Sequence, residues 1–400
     1  MILIRLIMLF LAVAMALSAE ARTAGEPPNI ILFIVDDLGW QDISVPLHSE
    51  STPFNERYHT PHVARLAREG LAFTNAYASA PVCTPSRTSI MTGKAPARTH
   101  ITYWTLHADQ DTTRVHPLLR APAWRMNGLQ PEDGPTLPQL LKHGGYRTIH
   151  VGKAHFGAHG TQGGDPTTLG FEVNIATHAS EAPGSFLSTH RFANGPRNGR
   201  PDASSVWDVP GLEAYHDQSI YLTEALTIEA QRAIRESIER EQPFFLNFAP
   251  YAVHTPIMAN ERYLARYEHL HPIEAAYATM IESVDAALGA LMHTLEVAGQ
   301  LDNTIIIFTS DNGGLSAHGR GGEANTHNAP LRSGKGSAYE GGVRVPAIVR
   351  WPGVTPADAR SDAIIIGHDW FPTVLAMAGI TIPKSHTVEL DGRDLAPALR

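Results

Sequence analysis

The chain has 400 residues, of which 43% are hydrophobic and 18% are charged, a composition typical of a globular protein and not of a disordered one. Its length suits one large domain, or a large domain with a small one. The net charge of −9 and the pI near 6.1 argue against a general nucleic-acid-binding protein, but they leave room for a local basic pocket that takes a small anionic substrate.

The N-terminus has the features of a cleaved export signal. Arg5 supplies a positive charge, and the apolar run Leu6–Leu17 has the length of a signal-peptide core. Ala19-Glu20-Ala21 is a small-x-small cleavage site, so we expect a signal peptide at 1–21 and one large domain at 22–400. The alternative is an uncleaved anchor, but the run is shorter than the roughly 20 apolar residues that span a bilayer. We therefore expect a periplasmic or secreted protein that does not stay on a membrane.

Four nearly continuous apolar runs predict strands that are buried on both faces. These runs are Asn29–Val35, Thr148–Val151, Phe244–Phe248 and Thr304–Phe308. Strands of a parallel sheet have this composition because helices cover both sides of the sheet.

Helical patterns lie between these runs, at His62–Arg68, Gln139–His143, Ser219–Glu239 and Ala275–Ala298. In the last of them apolar residues recur at helical spacing, and we interpret that stripe as core packing and not as a binding surface. The alternation of strands and helices predicts an α/β fold with a large, mostly parallel central sheet and helices on both faces.

Two long segments, residues 103–135 and 157–215, are rich in Pro, Gly, His and Asn and have weak periodicity. We predict surface loops there that help to shape a substrate pocket, because long loops in compact domains are often functional. Some residues in the variable loops are candidates for substrate contacts, although each alone fits an ordinary surface position better. These candidates are Trp104, His107, Arg125, His318, Arg320 and His327.

Polar clusters follow each of the four predicted strands. The clusters are Asp36-Asp37, Lys153 with His155, His254, and Asp311-Asn312. Any one of them could be a turn or a helix cap. Ligands of open α/β sheets bind outside the carboxyl ends of the strands, so we expect all four clusters to converge on one rim.

The acidic members of this rim predict a cation site. Asp36, Asp37, Asp311 and Asn312 offer only oxygen ligands, which suit calcium or magnesium and not zinc or copper. Three carboxylates at one rim would also repel one another unless a cation neutralised them. The alternative is a pair of helix-capping turns without a metal.

Cys83 is the only cysteine, so it cannot form an internal disulfide. It is a buried bystander, an intermolecular link or a reactive group. The segment Cys83–Arg87 reads Cys-Thr-Pro-Ser-Arg and continues with Thr88 and Thr92-Gly93. It resembles the signature of type I sulfatases, a family in the alkaline phosphatase superfamily whose cysteine is oxidised during export to the aldehyde formylglycine.

The resemblance covers roughly residues 28 to 400. Five further segments match the family in the right order, including its metal elements and its Gly-Lys-x-His-x-Gly element. They are Asn29–Gly39, Thr60–Gly70, Gly145–Gly157, Ser310–Gly313 and Gly334–Pro346.

The chain departs from the family pattern in two places. Ala154 and Phe156 stand where tryptophan and leucine are common, beside the matched lysine and histidine. The segment Asp391–Leu395 resembles one that precedes a small C-terminal subdomain, so we expect that subdomain to be largely missing from this chain.

The resemblance implies that Cys83, as hydrated formylglycine, attacks the sulfur of a sulfate ester with one hydroxyl. The second hydroxyl then loses a proton and sulfate leaves. Arg87 would orient the formylglycine, and one calcium ion would bind Asp36, Asp37, Asp311 and Asn312 together with residue 83. A formylglycine-generating enzyme is implied as a partner in maturation.

The remaining matched residues complete the implied catalytic set. Lys153 and Lys335 would neutralise charge on the sulfuryl oxygens. His155 would be the base that drives release of sulfate. His254 would bind the sulfate or protonate the leaving oxygen, with Lys335 as the alternative donor.

Three alternatives stay open at this point. The substrate is a sulfated small molecule or carbohydrate, and export favours the carbohydrate. Phosphonate and phosphate monoester hydrolases of the same superfamily share the metal-and-nucleophile arrangement, and some also use formylglycine. If Cys83 is not modified, the chain is a secreted relative without catalytic activity.

Overall fold

The computed structural model describes residues 27–114, 116–194, 206–316, 328–382 and 390–400, so the predicted signal peptide lies outside the described residues. The strands in this part of the chain are β1 Asn29–Val35, β2 Leu71–Phe73, β3 Ala76–Tyr77, β4 Arg147–Gly152, β5 Val173–Ile175, β6 Phe244–Ala249, β7 Thr304–Ser310, β8 Ala347–Arg350, β9 Ala359–Ser361 and β10 Ile365–Ile366. The helices are α1 Pro53–Arg57, α2 Pro61–Arg68, α3 Cys83–Thr92, α4 Pro96–Thr99, α5 Leu137–His143, α6 Leu222–Glu239, α7 Glu261–Leu264, α8 Pro272–Val297, α9 Glu340–Val343 and α10 Trp370–Met377.

Eight of the described strands form one sheet in the order β5-β4-β6-β1-β7-β8-β2-β9. The five strands β5, β4, β6, β1 and β7 run parallel to one another. The strand β8 runs antiparallel to β7 and to β2, and β9 pairs parallel with β2. The predicted α/β fold with a mostly parallel central sheet is confirmed.

The two faces of the sheet bury separate apolar cores. Alternate residues of β1 belong to different cores, with Phe33 in the core under α6 and α8 and Leu32 in the core under α5 and α10. A strand places successive side chains on opposite faces, which explains why β1 is apolar along its whole length. Helices therefore cover both faces, as predicted.

The four predicted strands and the four predicted helices are all present; β1 has the predicted bounds, and the ends of the other elements are shifted. The helix α8 begins at Pro272 and not at Ala275, and α5 includes Pro138 in its first turn. Proline is accepted in a first helical turn because the amide there has no partner within the helix. The helix α6 begins later than predicted, at Leu222 and not at Ser219.

The description of residues 157–215 as surface loop is wrong in part. The strand β5 lies within this segment and pairs with β4, and the side chains of Phe171, Phe186 and Phe192 are buried. A three-residue strand with Asn174 at its centre leaves too little periodicity to be read from the sequence. Among the described residues, no helix is long and apolar enough to cross a membrane.

Candidate active site

The carboxyl ends of β1 and β7 bring Asp36-Asp37 and Asp311-Asn312 together. The strands are adjacent and parallel, and Val35 pairs with Ser310, so the residues that follow the two strands lie side by side. The backbone N–H of Asp37 donates to Asp311 Oδ1 at 3.2 Å, and Asn312 Nδ2 donates to Asp37 Oδ1 at 2.8 Å. The side chains that follow β1 and β7 therefore meet at one rim of the sheet, as predicted.

The helix α3 places two further residues of the site on one of its faces. Cys83 is its first residue and Arg87 lies four positions later, about one turn along the helix. Arg87 Nε donates to Asp311 Oδ2 at 2.7 Å, and Nη1 donates to the carbonyl of Lys153 at 2.6 Å. Since Arg87 is 1% exposed, these partners compensate a fully buried charge.

Lys153 enters the site directly after β4. Its ammonium lies 2.8 and 2.7 Å from the two carboxylate oxygens of Asp36, and 3.2 Å from Cys83 Sγ. Its backbone N–H donates to the carbonyl of Ala249 at the end of β6, which holds the segment at the rim. Burial raises the pKa of the Cys83 thiol, so the thiol is un-ionised at neutral pH.

His254 and Lys335 form a second hydrogen-bonded group beside Asp37, here called the acid pair. Lys335 Nζ lies 2.8 Å from Asp37 Oδ2 and 2.7 Å from His254 Nε2. His254 Nδ1 lies 2.9 Å from the carbonyl of Thr255, which can only accept, so Nδ1 carries the proton and Nε2 accepts from Lys335. In this arrangement Lys335, and not His254, carries the proton between the two side chains, and both residues line the cavity.

Two backbone connections keep the acid pair in place. The Val253 N–H donates to the carbonyl of Asp36 at 2.8 Å, which ties the segment after β6 to the end of β1. The Lys335 N–H donates to the carbonyl of Gly314 at 3.0 Å, close behind the Asp311-Asn312 pair. The long connection after β6 thus delivers His254 to the same rim as the strand ends.

His155 occupies a buried position next to the start of α3. Its Nε2 lies 2.8 Å from the carbonyl of Thr105 and 3.0 Å from Thr84 Oγ1. Because a carbonyl only accepts, Nε2 carries the proton, and the buried Nδ1 keeps a lone pair that has no hydrogen-bond partner among the described residues. Burial, together with Lys153, holds the pKa of His155 well below its ordinary value, so the ring is neutral.

The carboxylates of the site match the donor set of a hard cation. One oxygen each of Asp36, Asp37 and Asp311 and the sulfur of Cys83 lie within 4.8 Å of one another. Asn312 Oδ1 is buried and has no hydrogen-bond partner in the described part of the chain. Burial raises the pKa of Asp36 to about 8, against the opposing effect of Lys153, and the nearby carboxylate of Asp311 adds to the rise. These residues therefore fit a calcium ion.

A cavity of about 320 Å³ opens above these groups. Asp37 and Cys83 line its base. The group of buried residues at the strand ends and on α3 to which they belong is here called the floor: Asp36, Asp37, Cys83, Arg87, Lys153, Asp311 and Asn312. The side of the cavity, here called the wall, consists of residues from the loops: Trp104, Glu181, Thr255 and Leu315. The acid pair lies between the two.

A model of the sulfatase family matches residues 28–380 of this sequence. The chain belongs to the sulfatase family. It is accordingly a sulfuric ester hydrolase with the alkaline-phosphatase-like sulfatase fold.

Named relatives and a solved structure agree with this assignment. The sulfatase is 33% identical to N-acetylgalactosamine-6-sulfatase of Homo sapiens, over 95% of this chain and 67% of that protein. It is 32% identical to arylsulfatase A of Homo sapiens, over 96% of this chain and 70% of that protein. The structure of Ps i-CgsB in complex with k-i-k-neocarrahexaose matches with a TM-score of 0.72 and 29% identity, over 93% of this chain and 76% of that one.

Of the residues that the sequence suggested for substrate contacts, Trp104 lines the cavity of the sulfatase. Arg125 does not line it, and its guanidinium forms a two-point ion pair with Asp133, each contact at 2.8 Å. The ring of His107 packs against that of His159 in a tilted arrangement, with centroids 5.5 Å apart. The other three candidates, His318, Arg320 and His327, lie outside the described residues.

Sequence reasoning missed Glu181, which the fold brings to the wall of the sulfatase cavity. The sequence before Ala179-Ser180-Glu181-Ala182 does not predict the short strand β5, and the segment matches no motif, so no local signal marks Glu181. The only available hint was its place in the long segment 157–215, which was expected to shape a pocket.

Proposed function

We propose that this sulfatase hydrolyses sulfate esters of carbohydrates with a formylglycine made from Cys83 and a bound calcium ion. The observation that carries the proposal is the position of Cys83. Its sulfur lies among the carboxylates of Asp36, Asp37 and Asp311, within 4.8 Å, and at the base of the cavity. A nucleophile, a cation site and an open pocket thus meet at one point.

Asp36, Asp37, Asp311 and Asn312, with residue 83, would hold the calcium ion. When bound, calcium supplies Lewis-acid polarisation of a sulfate oxygen, and formylglycine supplies a hydroxyl nucleophile whose carbon–oxygen bond can later break.

The protein's own cations bind and orient the sulfuryl group. Lys153 Nζ lies 3.2 Å from Cys83 Sγ, so its ammonium is in place to neutralise charge on an oxygen held above residue 83. Arg87 makes its hydrogen bonds to Asp311 and to the carbonyl of Lys153, and so fixes the position of α3 relative to the rim. We propose that Arg87 orients residue 83 by holding the helix that carries it.

The two histidines handle protons at opposite sides of the site. The free Nδ1 of His155, next to α3, takes a proton from residue 83 during release of sulfate. A nitrogen of His254 lies within 4.8 Å of Cys83 Sγ, so the acid pair is close to the reacting sulfur. Lys335 donates the proton to the leaving oxygen, and His254 Nε2 accepts from Lys335 and orients it.

The substrate class rests on relatives. One is an N-acetylgalactosamine-6-sulfatase, and Ps i-CgsB was solved with a neocarrahexaose. We propose a sulfated carbohydrate for this chain on that basis. We also propose that the protein is exported, on the basis of the N-terminal charge and apolar run, and that a formylglycine-generating enzyme modifies it.

Mass spectrometry of the tryptic peptide that contains residue 83 tests the nucleophile. In a host with the maturation machinery, we expect loss of the thiol and capture of an aldehyde by a hydrazide reagent. Fully active protein with an unmodified thiol would contradict the mechanism.

Two further measurements test the reaction and the ion. We expect turnover of a sulfate monoester to exceed that of the matched phosphonate monoester, and the reverse order would favour the phosphonate hydrolase alternative.

Chelation should lower the melting temperature and calcium should restore it, because a ligand that binds only the folded state stabilises that state. The variant Cys83→Ala is the inactive control.

A further inference from the structure

Glu181 in the cavity wall has an unpaired carboxylate oxygen. Among the residues that the structure describes, none donates a hydrogen bond to its buried Oε2. A buried carboxylate without a partner costs stability, so such groups are usually paired in a fold. Asp133 pairs with Arg125, for example, and Asp285 accepts the backbone N–H groups of His62 and Val63.

The chain around Glu181 is held in place, so its position is not that of a loose side chain. The N–H of Ser180 donates to His178 Nδ1 at 3.0 Å, and Ser180 Oγ donates to the carbonyl of Val206. His178 packs on Tyr251 with ring centroids 5.3 Å apart. The segment therefore presents Glu181 to the cavity from a fixed backbone.

The surroundings of Glu181 combine both signs of charge. It lines the same cavity as Cys83, His254 and Lys335. Burial raises the pKa of Glu181, and Lys335 and Lys153 act against this rise, so the carboxyl group is within electrostatic reach of both cations that face the sulfuryl group. Glu181 thus presents a carboxyl group in the same cavity as Lys335 and near Lys153.

We propose that Glu181 is a specificity-determining residue that binds a hydroxyl or amide N–H of the sugar next to the sulfate ester. Its unpartnered oxygen accepts that hydrogen bond, and the same oxygen repels a second sulfate at the neighbouring position. The site therefore selects sugars that carry a single sulfate at this place. This inference rests on the proposed hydrolysis of carbohydrate sulfates.

Comparison of Glu181→Gln with the parent enzyme tests the proposal, because glutamine keeps the size and loses the charge. The substrates are a hexose monosulfate, the same sugar with a second sulfate on the adjacent carbon, and 4-nitrophenyl sulfate, which has no sugar. We expect the parent to prefer the monosulfate. In Glu181→Gln the ratio of kcat/KM between monosulfate and disulfate should fall by about 10-fold or more, mainly through KM.

A binding experiment separates this inference from the proposed function. The affinities of both sugars are measured in Cys83→Ser and in Cys83→Ser with Glu181→Gln, which need no turnover. We expect the preference for the monosulfate to fall in the double variant as well. If Cys83→Ser prefers the monosulfate to the same extent with and without Glu181→Gln, the role of Glu181 is overturned. If the parent enzyme binds the sugars selectively but hydrolyses none of them, the proposed function is overturned.

Glu268→Gln is the matched control, because Glu268 is exposed on the segment after α7, away from the cavity. It should leave both the ratio and the melting temperature unchanged. If Glu181→Gln fails to fold, Glu181→Asp is the second variant. It keeps the charge but shortens the side chain, and we expect a loss of monosulfate affinity with the discrimination against disulfate retained. If Glu181→Asp keeps both the monosulfate affinity and the discrimination of the parent enzyme, the proposal is contradicted.

Discussion

The floor and the wall of the cavity are built in opposite ways. Every floor residue is at most 1% exposed, and the carboxylates and cations there are paired at distances such as the 2.7 Å between Arg87 Nε and Asp311 Oδ2. The wall consists of half-buried loop residues, among which Glu181 has an unpartnered oxygen. Rigid pairing in the floor suits chemistry that needs fixed geometry, whereas free polar groups in the wall suit recognition of a variable substrate.

This difference predicts that changes in the floor remove turnover or folding, while changes in the wall alter selectivity. The acid pair lies between the floor and the wall, and its variants should depend on the leaving group.

The largest effect is expected for Cys83→Ala, because it removes the proposed nucleophile. We expect kcat to fall by at least about 10,000-fold with sulfate esters of any leaving group. Steady-state assays with 4-nitrophenyl sulfate and a sugar sulfate measure this, and a retained rate in the purified variant would mean that residue 83 is not the nucleophile.

Asp311→Ala should affect both activity and folding. It removes the acceptor of Arg87 Nε and leaves a buried guanidinium with less compensation, so we expect the free energy of unfolding to fall by about 3–5 kcal/mol. Urea unfolding measures it. The control is Asp302→Ala, whose side chain is 92% exposed and pairs with Arg350, and it should cost at most about 1 kcal/mol. Equal losses in the two variants would show that burial of the floor pair has no special weight.

His155→Ala removes the proposed base but not the groups for the first chemical step. With 4-nitrophenyl sulfate we expect a burst of about one nitrophenol per enzyme and then turnover that is about 1,000-fold slower. Rapid-mixing absorbance measures the burst. A burst in His254→Ala and none in His155→Ala would reverse the two assigned roles.

His254→Ala disturbs the orientation of Lys335 and should slow the first step. We expect a loss of about 100-fold with a sugar sulfate and of about 10-fold with 4-nitrophenyl sulfate, because an activated leaving group needs less help from an acid. The ratio of the two losses is the readout. Lys335→Ala should give a larger loss than His254→Ala with the sugar sulfate, since Lys335 is the proposed proton donor and His254 orients it.

The smallest effect is expected in the wall. Trp104→Ala removes an aromatic surface from the cavity without touching the floor. We expect KM for a sugar sulfate to rise about 3- to 10-fold with little change in kcat, as for the loss of one aromatic contact. A fall in kcat of the same size as in His155→Ala would mean that the wall and the floor are not separable.

Most of the floor was predictable from the sequence. Asp36, Lys153 and Asp311 each follow a continuous apolar run, and a buried strand and the polar residue after it are local patterns. Two contacts were not predictable. The proton arrangement of His254 and Lys335 depends on which carbonyl lies next to Nδ1, and Arg125 looked available until Asp133 was placed against it.

The sequence alone determined the fold class, the four strands that deliver polar residues to one rim, and the family. These features follow from the spacing of apolar residues along the chain and from motifs a few residues long. Only the tertiary structure decided that Arg87 contacts Asp311, 224 positions later, and that Glu181 lines the same cavity as Cys83. The physical reason is that such contacts depend on how distant segments pack, and no local preference of the backbone encodes that.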